Sequence, residues 1–201
     1  MSLAGAVHGG LVFPRRIRVL AGHLAELLPA SGRVLDIGCG DGSLALRVAQ
    51  ARPGLQLRGV DVLVRENTRI EVERFDGHLL PYPDLAFDAA MIVDVLHHTD
   101  DPEGLLAEAA RVAPVLVIKD HLADAPLAGM RLRLMDFVGN ARHGVRLPYN
   151  YWTRRRWEEA FEQLGLRVEQ WRGELGLYPP PASWIFDASL HFAACLSRHR
   201  A

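Results

Sequence analysis

A short apolar run leads directly into three alternate glycines: Val34-Leu35-Asp36-Ile37-Gly38-Cys39-Gly40-Asp41-Gly42-Ser43. The run reads as a buried strand, and Ser43 to Ala51 reads as a helix closed by Pro53-Gly54. Few folds accept a strand, a glycine loop and a helix in that order. Glycines let the backbone turn tightly and let a ligand come against main-chain atoms. In open α/β sheets the ligand crevice lies outside the carboxyl ends of the strands, which is where such a loop sits.

The rest of the chain extends the same alternation. A helix follows Pro14, with Ile17, Leu20, Ala21, Leu24, Leu27 and Leu28 at helical spacing and Pro29 as its stop. Strands are expected at Leu55 to Val60 (ending at Asp61), Ile70 to Phe75, Phe87 to Val93 and Pro114 to Ile118, with a helix over Pro102 to Val112. Val62 to Arg69 is too short for a crossover helix. The alternation breaks from Leu122 to Pro148, where Leu127 to Val138 is expected as an amphipathic helix with Met130, Leu134, Met135 and Val138 on one face. Thr153 caps a further helix that stops at Gly165, and Leu166 to Trp171 and Ser189 to Leu196 are the last strand candidates, separated by a Pro179-Pro180-Pro181 loop. This pattern predicts an α/β fold with a mostly parallel sheet and helices on both faces.

With 201 residues, 49% hydrophobic and 23% charged, the chain is expected to be one globular domain over residues 1–201. It divides into an N-terminal helical segment (1–32), a binding core (33–121), a lid or acceptor insert (122–152) and a C-terminal helix with strands (153–201). No run approaches the ~20 apolar residues of a membrane span. A net charge of −1 provides no global field for nucleic acid. Cys39 and Cys195 form no metal or redox spacing, and Met1 to Pro14 lacks a signal peptide's leading charge, so a cytoplasmic location is expected. Of 23 basic residues only Lys119 is lysine. Oligomeric state is not legible.

The loop's own chemistry narrows the ligand. A dinucleotide fingerprint needs a third small residue where Ser43 stands. Asp36 and Asp41 put negative charge beside the loop, which disfavours a pyrophosphate and suits a cation such as a sulfonium bearing an α-amino group. Asp61 ends the second strand 25 residues after Asp36, where a carboxylate can accept both ribose hydroxyls of a dinucleotide or an adenosyl ligand; capping of the next turn is the purely structural alternative.

His97 and His98 follow the fourth strand, where an acceptor would approach, and either can take a proton near neutrality. Adjacent side chains usually diverge, and His98 is favoured as the one facing the site. Asp120 and His121 end the fifth strand, making His121 a further base candidate. Packing roles are the alternative for all three histidines. A metal held by His97, His98, Asp100 and Asp101 is not expected, because so short a run rarely folds every side chain onto one ion. The stretch from Met130 to Arg156 carries Arg131, Arg133, Arg142, Arg146, Arg154, Arg155 and Arg156 against Asp136, which reads either as a lid for an anionic acceptor or as a solvated face. Tyr149, Asn150 and Tyr151 either close over the acceptor or pack.

The segment Val34 to Gly42 resembles motif I of the class I S-adenosylmethionine-dependent methyltransferases. Asp61 matches the family's acidic residue after strand two. Phe75-Asp76-Gly77, Leu80-Pro81-Tyr82-Pro83-Asp84 and Phe87-Asp88 resemble the adenine segment, and Val93-Asp94-Val95-Leu96-His97-His98-Thr99-Asp100-Asp101-Pro102 resembles the strand-four end of the small-molecule "type 11" branch. The resemblance implies a Rossmann-like seven-stranded sheet with an antiparallel C-terminal hairpin, and methyl transfer from S-adenosyl-L-methionine to a small molecule, leaving S-adenosyl-L-homocysteine. It also implies that Asp36, Gly38, Cys39, Gly40 and Gly42 line the methionine moiety, Asp61 and Val62 hold the ribose, Asp76 and Gly77 meet the adenine, and Asp94 and Val95 lie near the amino-acid end. Strand four lacks the Pro-Pro motif of nucleic-acid amino-methyltransferases. A nicotinamide-dependent oxidoreductase and a non-catalytic binding scaffold are the rival readings.

Overall fold

A computed structural model describes residues 13–140, 149–187 and 189–198. Helix α1 (Phe13–Leu27) precedes β1 (Gly32–Ile37), α2 (Ser43–Ala51), β2 (Leu55–Asp61), β3 (Val72–Arg74) and β4 (Ala89–Val93). A 3-10 turn over Leu96–His98 leads to α3 (Pro102–Val112), β5 (Val115–His121), α4 (Ala128–Asn140), α5 (Arg154–Gln163), β6 (Leu166–Arg172), α6 (Ala182–Phe186) and β7 (His191–Arg198). One sheet has the order β3-β2-β1-β4-β5-β7-β6. β1 to β5 run parallel, and β7 runs antiparallel to both β5 and β6.

The central strands are buried on both faces, as a parallel sheet requires. Leu35, Ile37, Ala90, Ile92, Leu116 and Ile118 belong to one core layer, which includes Leu105 and Leu106 of α3 and Trp157 and Phe161 of α5. Val34, Ala89, Met91 and Val117 alternate onto the other face, against Leu20, Leu24 and Leu27 of α1 and Ala45 and Val48 of α2. Local signals set the boundaries. Asp101 caps α3 by accepting from Gly104 N at 2.9 Å, with proline in the first turn. Thr153 caps α5 by accepting from Arg156 N, and Gly165 ends it at φ +64°. Among the described residues no helix joins β2 to β3, as the shortness of that link predicts.

One expectation holds only in part. α4 forms and Met135 packs inward, but the rest of its inward side is Ala128 and Leu132, which pack with Leu190, while Met130 is 63% and Leu134 49% exposed. A helix apolar on several sides does not define its buried face by periodicity; the partner at the sheet edge does. The side chain of Val138 lies outside the described residues. The segment after the proline run also carries an unanticipated helix, α6. No described helix is long and apolar enough to cross a membrane.

Candidate functional site

The carboxyl ends of β1, β2, β4 and β5 open into a cleft of about 750 Å³, completed by α1 and the 3-10 turn. The glycine loop forms one wall. Gly38 has φ +73°, and a Cβ there would meet Val95 Cγ2 at 2.4 Å, so the loop and the strand-four end close together only without a side chain. Gly42 has φ +75° and begins α2; a Cβ there would strike Ile70 Cγ1 at 2.6 Å. Gly42 is therefore a packing glycine and is not among the cleft's lining residues.

Acidic groups gather along this wall. Asp36 is buried and lines the cleft, and burial together with the neighbouring Asp61 pushes its carboxyl up to about 8. Asp61 accepts from Gly40 N at 2.8 Å through Oδ2 and from Leu63 N at 2.9 Å through Oδ1. It thus braces the loop while lining the cleft beside Val62. The Cys39 thiol is pushed upward by burial and by Asp36 and Asp61, which makes it inert. Gly77 and His78 line the far end. Asp76 is exposed and lies just outside the lining; its Oδ1 accepts from His78 N and Leu79 N at 2.8 Å, and these bonds lower its pKa.

Asp94 lines the floor just after β4 in a left-handed conformation, φ +57°. Burial works against its charge, but Arg16 of α1 and Lys119 of β5 outweigh it and hold the carboxyl well below the ordinary range. Arg16 comes from 78 residues away, and no signal in the sequence pointed to it.

The other wall holds histidines. His97 is buried, and its Nδ1 lies 2.6 Å from Asp120 Oδ1. Asp120 also accepts from Leu96 N at 3.1 Å and His121 N at 2.8 Å. Burial opposes its charge, yet the neighbouring His97 and hydrogen bonds from His121 and His97 keep it ionised far below the ordinary carboxylate value. His121 lies within 3.3 Å of His97 Nδ1, and burial with the nearby His97 and Lys119 pulls it down to about 4. His97 and His98 do not diverge. They occupy a tight 3-10 turn, their rings are 3.9 Å apart, and both line the cleft together with His121. Asn150 ties the end of the insert to this turn, donating from N to His97 O at 3.2 Å and from Nδ2 to Thr99 O at 2.7 Å. Tyr151 packs 5.9 Å from the His97 ring. Met135 and Tyr178 add apolar lining.

The arginine-rich insert behaves differently from an anion lid. Arg131 donates to the Ile185 carbonyl, Arg133 lies over Tyr149, and Arg154, Arg155 and Arg156 pair with Glu158, Glu159 and Glu103. None of these five lines the cleft. Arg142 and Arg146 lie outside the described residues. His97, Asp120 and His121 bring three potential ligand atoms within 4.8 Å of one another, a cluster other than the run weighed from the sequence.

A doubly wound sheet with a glycine loop, a carboxylate after β2 and a negatively charged cleft defines an α/β binder of a cationic nucleoside cofactor. A family model described as a methyltransferase domain matches residues 13–170. The chain belongs to that family, the class I S-adenosylmethionine-dependent methyltransferases. It is 34% identical over 108 residues to 27-O-demethylrifamycin SV methyltransferase of Amycolatopsis mediterranei (strain S699), covering 46% of this chain and 39% of that protein. It is 34% identical over 98 residues to ubiquinone biosynthesis O-methyltransferase of Xanthomonas axonopodis pv. citri (strain 306), covering 43% and 40%. The chain thus spans about two fifths of the length of these curated relatives. The solved S-adenosylmethionine-dependent methyltransferase of Mesorhizobium loti shares the fold, with TM-score 0.66 and 19% identity over 88% of this chain and 96% of that one.

The residues present fit S-adenosylmethionine. Among the described residues no cation pairs with the buried Asp36 carboxyl, and Gly40 presents bare backbone to the cleft, where an added Cβ would meet nothing nearer than Arg65 at 3.7 Å. Asp36, Asp41 and Asp61 together favour a positively charged ligand over a pyrophosphate.

Proposed function

We propose that this chain transfers a methyl group from S-adenosylmethionine to a hydroxyl or amine of a small molecule, with a histidine on the cleft wall taking the acceptor's proton. When bound, the cofactor supplies a methyl group on a sulfonium, open to in-line displacement by an acceptor lone pair. Asp36, Gly38, Cys39, Gly40, Asp61, Val62, Gly77, Asp94 and Val95 would hold it, and Asp76 would reach the adenine from the rim.

The observation that carries the reading is the His97–Asp120 pair at 2.6 Å, with His97 lining the same cleft as the glycine loop. A buried carboxylate that accepts from imidazole Nδ1–H fixes the tautomer and leaves Nε2 basic. Asp120 then stabilises the imidazolium formed when Nε2 takes the acceptor's proton. The sequence favoured His98; the carboxylate partner favours His97, with the His98 ring tilted beside it on the same wall. His121 stays neutral and adds no competing charge.

The acceptor's class follows from the walls. Met135, Leu105 and Tyr178 present an apolar surface, and Arg16 is already engaged by Asp94. This supports a largely apolar body with a hydroxyl, in keeping with two curated relatives named as a 27-O-demethylrifamycin SV methyltransferase and a ubiquinone biosynthesis O-methyltransferase. A strongly anionic acceptor or a nucleic acid has less support, since the insert's described arginines face away from the cleft.

The test is product formation with labelled S-adenosylmethionine across phenols, hydroquinones, aliphatic alcohols and amines. With an active acceptor, His97→Ala and Asp120→Asn should each slow transfer by about 10² or more. Full-rate turnover in both variants would remove the dyad from the mechanism.

A further inference from the structure

We infer that Lys119 is a positioning residue. It fixes the Asp94 carboxylate on the floor of the cleft and links it through His191 to helix α6. The inference rests on the proposed reading of the cleft as the cofactor site.

Lys119 is the one lysine in a chain that otherwise uses arginine for every basic position. It is completely buried. Burying an ammonium is unfavourable unless it is fully paired, and an apolar residue of similar size often serves stability equally well. Stability alone therefore does not explain a lysine here. A compact ammonium with three divergent donors can satisfy two acceptors on opposite sides, where the flat guanidinium fork of arginine is suited to one planar partner.

The partners are defined. Nζ donates to Asp94 Oδ1, and Arg16 takes Oδ2 of the same carboxylate. The main chain joins the same two residues, since Asp94 N donates to Lys119 O at 2.8 Å. Asp94 is left-handed at φ +57°, a strained conformation for a residue with a Cβ, so contacts on both its backbone and side chain are what hold it. On the other side, Nζ lies 3.2 Å from His191 Nδ1. His191 Nε2 lies 2.8 Å from the Phe186 carbonyl oxygen, which can only accept. Nε2 therefore carries the hydrogen, and Nδ1 accepts from Nζ. The ammonium thus donates both ways, toward the cleft floor and, through one imidazole, toward the last residue of α6.

A double-mutant cycle separates this role from general packing. Calorimetric Kd values for S-adenosylhomocysteine would be measured for wild type, Lys119→Met, Asp94→Asn and the double variant. Lys119→Met should weaken binding tenfold or more, and adding it to Asp94→Asn should weaken binding no further. Wild-type affinity in Lys119→Met, or a further tenfold loss in the double variant, would overturn the inference. If Lys119→Met alone fails to fold, the comparison of Asp94→Asn with the double variant still decides: equal Kd supports the role. A double variant that fails to fold while Asp94→Asn folds assigns Lys119 to stability alone and overturns it. A wild-type protein that binds no S-adenosylhomocysteine sinks the cofactor reading itself, and the inference with it.

Discussion

Asp36→Asn should make the ligand-free protein more stable and its cofactor binding weaker. Burial and Asp61 raise the Asp36 carboxyl from 3.8 to about 8, so the fold favours the protonated form. The associated stability is full below pH 4 and is lost as pH rises toward 8. At pH 7 the ionisable Asp36 lowers stability by about 4 kcal/mol relative to a neutral group of the same shape, at about 1.4 kcal/mol per unit of pKa difference. Asparagine removes that loss, which for a domain of this size corresponds to roughly 8–16 °C in Tm at pH 7. Between pH 6.5 and 8 wild type should lose on the order of 1–2 kcal/mol that the variant keeps. A cationic ligand reverses the balance by favouring ionised Asp36. Binding at pH 7 should therefore release close to one proton in wild type, on the order of 0.9, and almost none in Asp36→Asn. Urea melts at several pH values, with calorimetry in buffers of different ionisation enthalpy, measure both effects. Parallel stability curves for the two proteins from pH 6.5 to 8, or equal proton release, would refute the assignment of Asp36 as the buried carboxyl that ionises when a cationic ligand binds.

Asp61→Ala should reduce S-adenosylhomocysteine affinity by about 1–3 kcal/mol, because it removes a ribose acceptor and the brace on Gly40 N; unchanged affinity by calorimetry would sink the ribose assignment. Gly38→Ala should destabilise by about 2 kcal/mol or more, from positive φ plus the clash with Val95. Val95→Ala should restore only the clash part in urea melts, and full restoration would mean that φ +73° is not strained. His121, held near 4 against an ordinary 6.5, contributes stability that is lost as pH falls from 6.5 to 4, up to about 3 kcal/mol. His121→Gln should flatten the acid limb of the stability curve, and an unaltered limb would show that another group controls it.

What the sequence revealed and what it concealed divide along physical lines. Strand, glycine loop and helix were readable because positive-φ glycines and caps such as Asp101 and Thr153 act within four residues. The carboxylates Asp36 and Asp61 were readable because strand ends place them. The pairing of Arg16 and Lys119 with Asp94 was not, since α1, β4 and β5 meet only in the folded sheet. The close-set His97 and His98 rings contradicted the expectation of divergence because a 3-10 turn, unlike a strand, keeps neighbours together. The arginines from Met130 to Arg156 read in one dimension either as a lid or as a solvated face, and in three each described one has a carboxylate, carbonyl or ring of its own.

The most direct measurement is calorimetric titration of the wild-type protein with S-adenosylhomocysteine, with NAD and NADP in parallel. Micromolar binding of S-adenosylhomocysteine, with no heat from either dinucleotide, is the expected result for a cleft lined by Asp36, Asp61 and Asp94. Binding of NAD or NADP, or no binding of S-adenosylhomocysteine, would contradict it.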